Sequence, residues 1–222
     1  ELFLMLFDGD KRYINFEVNP KGVYLSQIGT CRADRVFIKE LTNLEPVINP
    51  MEIEEDDKKA WGYEIILSES EHHSNIVPWQ LAAEKRGLNI KVIPMNDEGV
   101  LQIECLDELI NEKTKIISVA QVSNSLGVVH DLKSIISKAR SLGGNELRVV
   151  VDGAQGIVHS KVDVQELDCD FYCFSAHKLY APMGVGIVYG KEAILETLPP
   201  YQGGGEMIRE VGFDKTTFNV AP

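Results

Sequence analysis

The chain has 222 residues, of which 44% are hydrophobic, and its formal net charge is −12 at pH 7. This length can hold one large domain or two small ones, and the hydrophobic content is enough for an ordinary globular core. Because the acidic balance leaves no basic stripe for phosphate backbones or anionic lipid, we expect no nucleic-acid partner and no membrane contact. No apolar run reaches the roughly 20 residues that span a bilayer.

We predict that residues 1–62 form a β-rich segment. Residues 12–27 alternate apolar and polar side chains around the turn signal Asn19-Pro20-Lys21-Gly22, which favours an antiparallel β-hairpin. Residues 50–61 are acidic and then basic, so they would be solvated, and we place a domain boundary at about residues 58–64. The opening stretch lacks the basic region of a secretory signal. Since the chain starts at Glu1 and stops at Pro222 in mid-segment, we expect both ends to be cut from a longer protein.

From Glu64 onward, strand-like and helix-like runs alternate. Strands are predicted over residues 64–68, 90–95, 115–122, 148–154, 170–175 and 184–190, and helices over residues 78–86, 106–112, 132–142 and 191–198. Near-continuous apolar strands separated by helical periods are typical of a parallel sheet covered on both faces. We therefore predict an α/β fold with a mostly parallel sheet over residues 63–222.

The four cysteines are Cys31, Cys105, Cys169 and Cys173. They form neither a dense disulfide framework nor a CxxC pair, and three of them fall in apolar stretches where a buried free thiol is common. A reducing cytoplasm fits this pattern best. Cys169 and Cys173 flank the predicted strand 170–175, so we expect both to belong to the core.

Lys178 lies among small and apolar residues in FSAHKLYAPMGVGIVYG, residues 174–190. In an apolar pocket the ammonium form is destabilised, so the pKa falls and the neutral amine can attack a carbonyl to form a Schiff base. Pro182, Gly184 and Gly186 would let the backbone pass close to a bulky ligand. The alternative is a lysine at a strand end that buries its stem and keeps its amine in water.

Polar side chains follow two other predicted strands. Asp152 ends a strand of three valines, and the C-terminal strand ends of an open α/β sheet form its ligand crevice. The alternative for Asp152 is the N-cap of the next helix. Ser123, Asn124 and Ser125 end another strand before Gly127, where a plain turn is the alternative.

The first strand of the α/β region is followed by Glu71-His72-His73. Adjacent histidines point different ways from an extended backbone, and ligands at helical or CxxC spacing are absent, so we predict no metal site. An imidazole can instead lie against a planar aromatic ligand or act as an acid or base. The strand ends together offer a histidine, an asparagine, Asp152 with Gln155, and the run Ser-x-His-Lys. A planar ligand with a ring nitrogen, an aldehyde and a phosphate matches this set, and pyridoxal 5′-phosphate (PLP) has all of these groups.

From about Ile65 to Thr217 the chain resembles the class V aminotransferase group of fold-type I PLP enzymes, and within it the SufS-type cysteine desulfurases and selenocysteine lyases. The resembling phrases are SESEHHSNIVPWQ, QVSNSLGVVHD, VVVDGAQGIVH, FSAHKLYAPMGVGIVYG, PPYQGGGEMI and DKTTF. Their occurrence in this order makes the resemblance highly specific.

The resemblance implies a role for each strand-end residue. Lys178 would bind the cofactor covalently and then move the substrate α-proton. Asp152 would pair with the ring nitrogen and keep it protonated, which makes the ring an electron sink. His72 would stack on the ring and handle protons. The remaining residues would contact the phenolic oxygen (Asn124 and Gln155) and the phosphate (Ser175 and His177).

The implied activity is removal of sulfur or selenium from L-cysteine or L-selenocysteine, leaving alanine and a sulfur atom for an acceptor protein in iron–sulfur cluster assembly. The family is homodimeric. Its glycine-threonine phosphate loop, substrate-carboxylate arginine, persulfide-forming cysteine and small C-terminal domain have no match in this sequence, so we expect a partial large domain with impaired activity. The alternatives are a class V aminotransferase relative and an inactive PLP-binding fragment.

The N-terminal segment carries a second, shorter resemblance. YINFEVNPKGVYLS and RADR, residues 32–35, resemble pieces of a carbohydrate-binding family 9 β-sandwich. This resemblance implies that residues 1–62 are part of a non-catalytic sandwich fused to the PLP-type domain, and that any sugar binding would lie there.

Overall fold

The computed structural model describes residues 2–8, 24–28, 62–198 and 207–219. The turn expected at residues 19–22, the RADR segment and Cys31 lie outside these residues. The hairpin, the sandwich-like module and the domain boundary near residue 60 therefore stay predictions.

The described strands are β1 (Leu2–Asp8), β2 (Tyr24–Ile28), β3 (Glu64–Ser68), β4 (Asn89–Ile93), β5 (Thr114–Ala120), β6 (Arg148–Asp152), β7 (Phe171–Ser175), β8 (Val185–Gly190), β9 (Ile208–Val211) and β10 (Thr216–Phe218). The α-helices are α1 (Val77–Arg86), α2 (Leu106–Leu109), α3 (Leu132–Gly143), α4 (Gly156–His159), α5 (Val164–Leu167) and α6 (Glu192–Leu195). Short 3₁₀ helices cover His73–Asn75, Ile103–Cys105, Gly144–Glu146 and Ala176–Leu179.

One sheet holds β1 to β8 in the order β2-β1-β8-β7-β6-β5-β3-β4. The strands β4, β3, β5, β6 and β7 pair with one another in parallel, which confirms the predicted α/β fold. β8 runs antiparallel to β7. The short connection from Ser175 to Val185 explains this direction, because a parallel crossover needs roughly a dozen residues or more.

The two described N-terminal strands extend the same sheet. β1 pairs antiparallel with β8, and β2 pairs parallel with β1. Residues 24–27 of β2 belong to the expected hairpin. The strand described beside β2 is β1, which lies before the hairpin in the sequence. The small second sheet pairs β9 with β10 in antiparallel register.

The core lies on both faces of the sheet, because alternate residues of each strand point to opposite sides. Ile66 of β3 belongs to the cluster that includes Ile135 of α3, whereas its neighbour Ile65 belongs to the cluster that includes Trp79 of α1. All of these side chains are at most 1% exposed. This two-sided burial is the reason for the continuous apolar runs in the sequence.

A buried ion-pair cluster holds the N-terminal ends of β6 and β7. The Asp170 side chain is 3% exposed, and its Oδ2 lies 2.7 Å from Arg140 Nη2 of α3. The same oxygen accepts a hydrogen bond from Val149 N at 2.7 Å. Lys191 Nζ lies 3.4 Å from Asp170 Oδ1. This cluster therefore connects a helix, two strands and the segment after β8.

The described cysteines, Cys105, Cys169 and Cys173, are free thiols. Cys169 and Cys173 are buried, which confirms that they belong to the core. Burial raises the pKa of the Cys169 thiol to about 12, so this sulfur stays protonated. Within the described part of the chain, no helix has the length and apolar character needed to cross a membrane.

Candidate functional site

The C-terminal ends of β5, β6 and β7 lie side by side. Asp152, the last residue of β6, is in register with Ala120 of β5 and Cys173 of β7. Beyond the strands, Gln121 N donates to Asp152 O at 2.9 Å and Gly153 N donates to Cys173 O at 2.8 Å. The polar residues that follow these strands therefore share one edge of the sheet, as the sequence predicts for a ligand crevice.

Asp152 combines burial with nearby positive charge. Burial raises the pKa of its carboxyl group, while a hydrogen bond from Ala154 N to Oδ1 at 2.9 Å and the charges of Lys178 and His72 lower it. These charges show that the amine and the imidazole lie within electrostatic range of the carboxylate. Asp152 does not cap the next helix, because α4 begins at Gly156 with Gln155 at its N-cap position.

Lys178 lies in the 3₁₀ helix Ala176–Leu179, where it is half-buried. Tyr180 follows with a left-handed backbone, at φ 62° and ψ 13°, and this conformation is uncommon for a residue other than glycine. Ala181 N donates to Ala176 O at 3.1 Å and closes the turn. The chain thus reverses tightly after Lys178 and enters β8, which holds the lysine backbone at the end of β7.

The other predicted ligand-binding residues are also placed at this edge, after β5, β6 and β7. Gln155 and Ser175 are half-buried, whereas Asn124 and His177 are exposed. Among the described residues, no hydrogen-bond partner is found for these four side chains or for the Lys178 amine. The structure therefore brings them to one edge without joining them to each other.

His72 is held by the turn that follows it. It is the N-cap of the 3₁₀ helix His73–Asn75, and its Nδ1 accepts a hydrogen bond from Ser74 N at 3.1 Å and lies 2.8 Å from Ser74 Oγ. A backbone N–H can only donate, so the neutral ring carries its proton on Nε2. The centroid of the His73 ring lies 3.9 Å from that of His72, with 35° between the planes.

Beneath His72 lies a buried acid to which the sequence assigned no role. Glu71 is 8% exposed. Its Oε1 accepts from Ala120 N at 2.8 Å and is bonded to Ser68 Oγ, and its Oε2 accepts from Asn75 Nδ2 at 2.6 Å. Burial raises the pKa of Glu71 to about 7, and the charge of Asp152 acts in the same direction.

The partners of Glu71 are themselves bonded. Asn75 Oδ1 accepts from Trp79 Nε1 at 3.0 Å and from Ser118 Oγ at 2.8 Å. Asn75 and Trp79 are four residues apart, which is the spacing that places two side chains on one helical face. That spacing, together with a serine inside each of two apolar strands, is the sequence signal that could have revealed this network.

A second layer supports the turn after Asp152. The hydroxyl of the buried Tyr172 donates to Gln121 Oε1. A Cβ added at Gly153 would lie 2.0 Å from Tyr172 Cζ, and one added at Gly156 would lie 2.0 Å from Gln121 Oε1. The two glycines of the DGAQG run are thus explained by close packing below the turn, and the sequence did not predict this reason.

The described residues contain no group of three or more His, Cys, Asp or Glu side chains suited to hold a metal ion. The candidate site is defined instead by an amine, a carboxylate and an imidazole at adjacent strand ends.

Comparison with known proteins places the chain among PLP-type enzymes. A cysteine desulfurase of Dickeya dadantii (strain 3937) is 50% identical over 161 residues, which cover 72% of this chain and 38% of the relative. The crystal structure of the cysteine desulfurase CsdA of Escherichia coli matches with a TM-score of 0.73 at 40% identity, covering 86% of this chain and 45% of that one. The apo cysteine desulfurase of Thermococcus onnurineus NA1 matches with a TM-score of 0.71 at 30% identity, covering 85% and 43%.

The chain thus spans less than half the length of these relatives. The family model described as aminotransferase class-V matches residues 48–222, which is well over half of the chain. The resemblance drawn from the motifs is confirmed, and the chain belongs to the aminotransferase class-V family.

Proposed function

We propose that this chain carries the cofactor-binding part of a PLP-dependent cysteine desulfurase. The reaction would remove sulfur from L-cysteine or selenium from L-selenocysteine, leaving alanine and a sulfur or selenium atom for an acceptor. The observation that carries the proposal is the placement of Asp152, Lys178 and His72 at or just after the C-terminal ends of β6, β7 and β3, which are parallel strands of one sheet. The charges of Lys178 and His72 act on the Asp152 carboxyl group. Identity of about half the aligned residues to relatives named cysteine desulfurase supports it.

The groups at the strand ends fit PLP. Burial raises the pKa of Asp152, and the charges of Lys178 and His72 oppose this shift and so favour the carboxylate that a protonated ring nitrogen needs as its partner. The half-buried amine of Lys178 fits an aldehyde. The side chains of Ser175 and His177, which have no hydrogen-bond partner in the described part of the chain, fit a phosphate. When bound, PLP supplies an electron sink that stabilises negative charge on the substrate α-carbon.

The residues of this chain would then hold and move protons. Lys178 Nζ would bind the cofactor and later take the α-proton of the substrate. His72 would lie against the ring, with Nδ1 fixed by Ser74 and its proton on Nε2. Asn124 and Gln155 would contact the phenolic oxygen.

Transfer of sulfur needs a thiolate above the Cβ–sulfur bond. Cys169 and Cys173 are buried in the core, and the raised pKa of Cys169 keeps it as a thiol. We therefore assign neither of these residues to the sulfur-transfer step. On this basis, the two buried cysteines belong to the core of the PLP-binding part and would not supply the sulfur-accepting group.

Two wider features belong to the same proposal. Residues 63–222 would form part of the large domain of a PLP enzyme, and residues 1–62 a β-rich segment whose described strands, β1 and β2, extend the sheet of that domain. The protein would act in the cytoplasm as a homodimer with a sulfur-acceptor protein as partner. The family model supports a second candidate function, transamination, because the lysine, acid and imidazole do not distinguish the two reactions.

The first test is an absorbance spectrum of the purified chain after incubation with PLP and removal of free cofactor. We expect a retained band that borohydride fixes on Lys178 and that Lys178→Ala abolishes. Lys113→Ala is the matched control, since Lys113 is exposed and precedes β5 at the opposite end of the strand. A borohydride-fixed adduct that persists in Lys178→Ala would refute the site. Loaded protein supplied with L-cysteine should release no sustained alanine, and steady release above a PLP-only control would contradict the impaired sulfur step.

A further inference from the structure

A continuous line of hydrogen bonds runs from Glu71 to His130. Glu71 Oε1 is bonded to Ser68 Oγ, Ser68 Oγ lies 3.1 Å from Ser70 Oγ, and Ser70 Oγ lies 2.6 Å from His130 Nε2. All four side chains are buried, with exposed fractions of 3% to 8%. Each of them can both donate and accept, which is the property that proton exchange along a chain requires.

Neighbouring groups determine where a proton on Glu71 would lie. The indole of Trp79 can only donate, so the atom of Asn75 facing it is the oxygen, and Asn75 Nδ2 must face Glu71. Glu71 Oε2 therefore accepts from Asn75. The N–H of Ala120 also only donates, but it leaves Oε1 a second direction, toward Ser68. A proton on Glu71 thus sits on Oε1 and points along the line.

The direction of every bond in the line follows from the charge of Glu71. When Glu71 carries the proton it donates to Ser68, Ser68 donates to Ser70, and Ser70 donates to His130 Nε2, so neutral His130 carries its proton on Nδ1. When Glu71 is ionised, Ser68 donates to it, Ser70 donates to Ser68, and His130 donates from Nε2. Moving one proton across each link takes a proton from Glu71 to His130 Nε2, and loss of the Nδ1 proton to solvent restores the neutral ring. These two steps convert the first state into the second without a change in backbone bonds.

The two ends of the line face different parts of the molecule. Glu71 directly precedes His72 and feels the charge of Asp152. His130 lines a cavity of about 270 Å³. The charged residues around this cavity are Asp131, Lys133, Lys161, Asp163 and Glu166.

We propose that Ser68, Ser70 and His130 form a proton path between this cavity and Glu71, and that Glu71 is a positioning residue for His72 and Asp152. The second part of the proposal rests on the proposed function. By carrying a proton, Glu71 leaves Asp152 as the anion at this edge, because two nearby carboxylates resist being ionised together. By bonding Ala120 N and Asn75, it also fixes the chain on either side of His72.

The groups that face the two ends are consistent with exchange near neutral pH. The raised pKa of Glu71 has burial as its main cause and Asp152 as its charged neighbour, and His72 and His73 follow it in the chain. Glu69, on the other side, is bonded through Oε2 to Met95 N. Burial lowers the pKa of His130, which favours the neutral ring that exchange with Glu71 requires.

The test is nitrogen NMR of the full chain with labelled histidine, without added cofactor, at pH 6 and pH 8.5. We expect the His130 proton to move from Nδ1 to Nε2 in roughly nine-tenths of the molecules over this interval. Ser68→Ala and, independently, Ser70→Ala break the line, so the tautomer of His130 should no longer follow pH. Ser141→Ala is the matched control, because its hydroxyl is exposed and bonds only to Lys138 O.

A wild-type His130 tautomer that is the same at both pH values would overturn the path. So would a pH-dependent switch that survives in both serine variants. The readout needs no cofactor, so a switch with no retained PLP band would leave the path standing and refute the proposed function alone. If PLP binds, the absorbance of the loaded wild type should change with pH around 7 and that of Glu71→Gln should not. An unaltered pH profile in Glu71→Gln would refute the positioning role.

Discussion

Gly153→Ala tests whether the layer below the cofactor edge positions the site. The new Cβ would lie 2.0 Å from Cζ, 2.1 Å from Cε1 and 2.4 Å from the hydroxyl oxygen of Tyr172, whereas ordinary contacts begin at 3.4 Å. Either the ring or the turn must therefore move by more than about 1 Å. Tyr172 is 1% exposed and bonded to Gln121, so it has little room to yield. We expect the turn that carries Asp152 to move instead.

The expected cost has two parts. Overpacking in a well-filled core costs about 1–3 kcal/mol of unfolding free energy. A displacement of about 1 Å at a site can reduce activity about 100-fold, so the affinity for PLP should fall well beyond what the stability loss alone explains. The measurement is PLP titration followed by absorbance, at a temperature where circular dichroism shows the variant folded.

Two further variants separate positioning from general damage. Leu147→Ala creates a cavity at a fully buried core position at the N-terminal end of β6, with an expected loss of about 2–5 kcal/mol, and should retain PLP affinity while folded. Tyr172→Ala in the Gly153→Ala background removes the clashing ring and should recover part of the lost affinity. Gly153→Ala with wild-type PLP affinity, or equal losses of affinity in Gly153→Ala and Leu147→Ala, would refute the reasoning.

Two other predictions concern stability. Asp170→Ala removes the buried partner of Arg140 and the acceptor of Val149 N, so the unfolding free energy should fall by about 3–5 kcal/mol. The folded variant should still bind PLP. A loss under about 1 kcal/mol in denaturant titration would contradict this role of Asp170. For Glu71, the folded pKa of about 7 lies above the ordinary 4.5, so the folded state binds the proton more tightly and this stabilisation is lost as pH rises from 4.5 through 7. At about 1.4 kcal/mol for each pH unit, the unfolding free energy should fall by roughly 3 kcal/mol between pH 4.5 and pH 7, and Glu71→Gln should not show this fall. If the unfolding free energies of wild type and variant change with pH in the same way, Glu71 does not titrate in this range.

Sequence patterns predicted the sheet because strands that are buried on both faces appear in the sequence as continuous apolar runs. Glu64–Ser68 was located to the residue, since a short apolar run bounded by polar residues has few other uses. The direction of β8 was not predicted, because an apolar strand pattern is the same in both directions and only the length of the connection decides. The left-handed backbone of Tyr180 was also missed, since nothing in a tyrosine side chain favours that conformation.

The candidate site shows a similar division. Lys178, Asp152 and His72 were predicted as site residues because each lies at or after the end of a predicted strand. Glu71 and Tyr172 were not, because their role depends on partners about 50 residues away in the chain, such as Ala120 and Gln121. A pattern of neighbours along the sequence cannot show such bonds.

The two ends of β6 and β7 differ in a way that separates stability from function. At the N-terminal ends, Asp170 is fully engaged by Arg140, Lys191 and a backbone amide. At the C-terminal ends, the charge of Asp152 acts together with that of Lys178, whose amine has no hydrogen-bond partner among the described residues. Asp152 accepts a hydrogen bond from Ala154 N, whereas a half-buried amine with no such contact costs stability and persists where a ligand supplies it. The same two strands thus carry a satisfied cluster that holds the fold and an unsatisfied one that fits a cofactor.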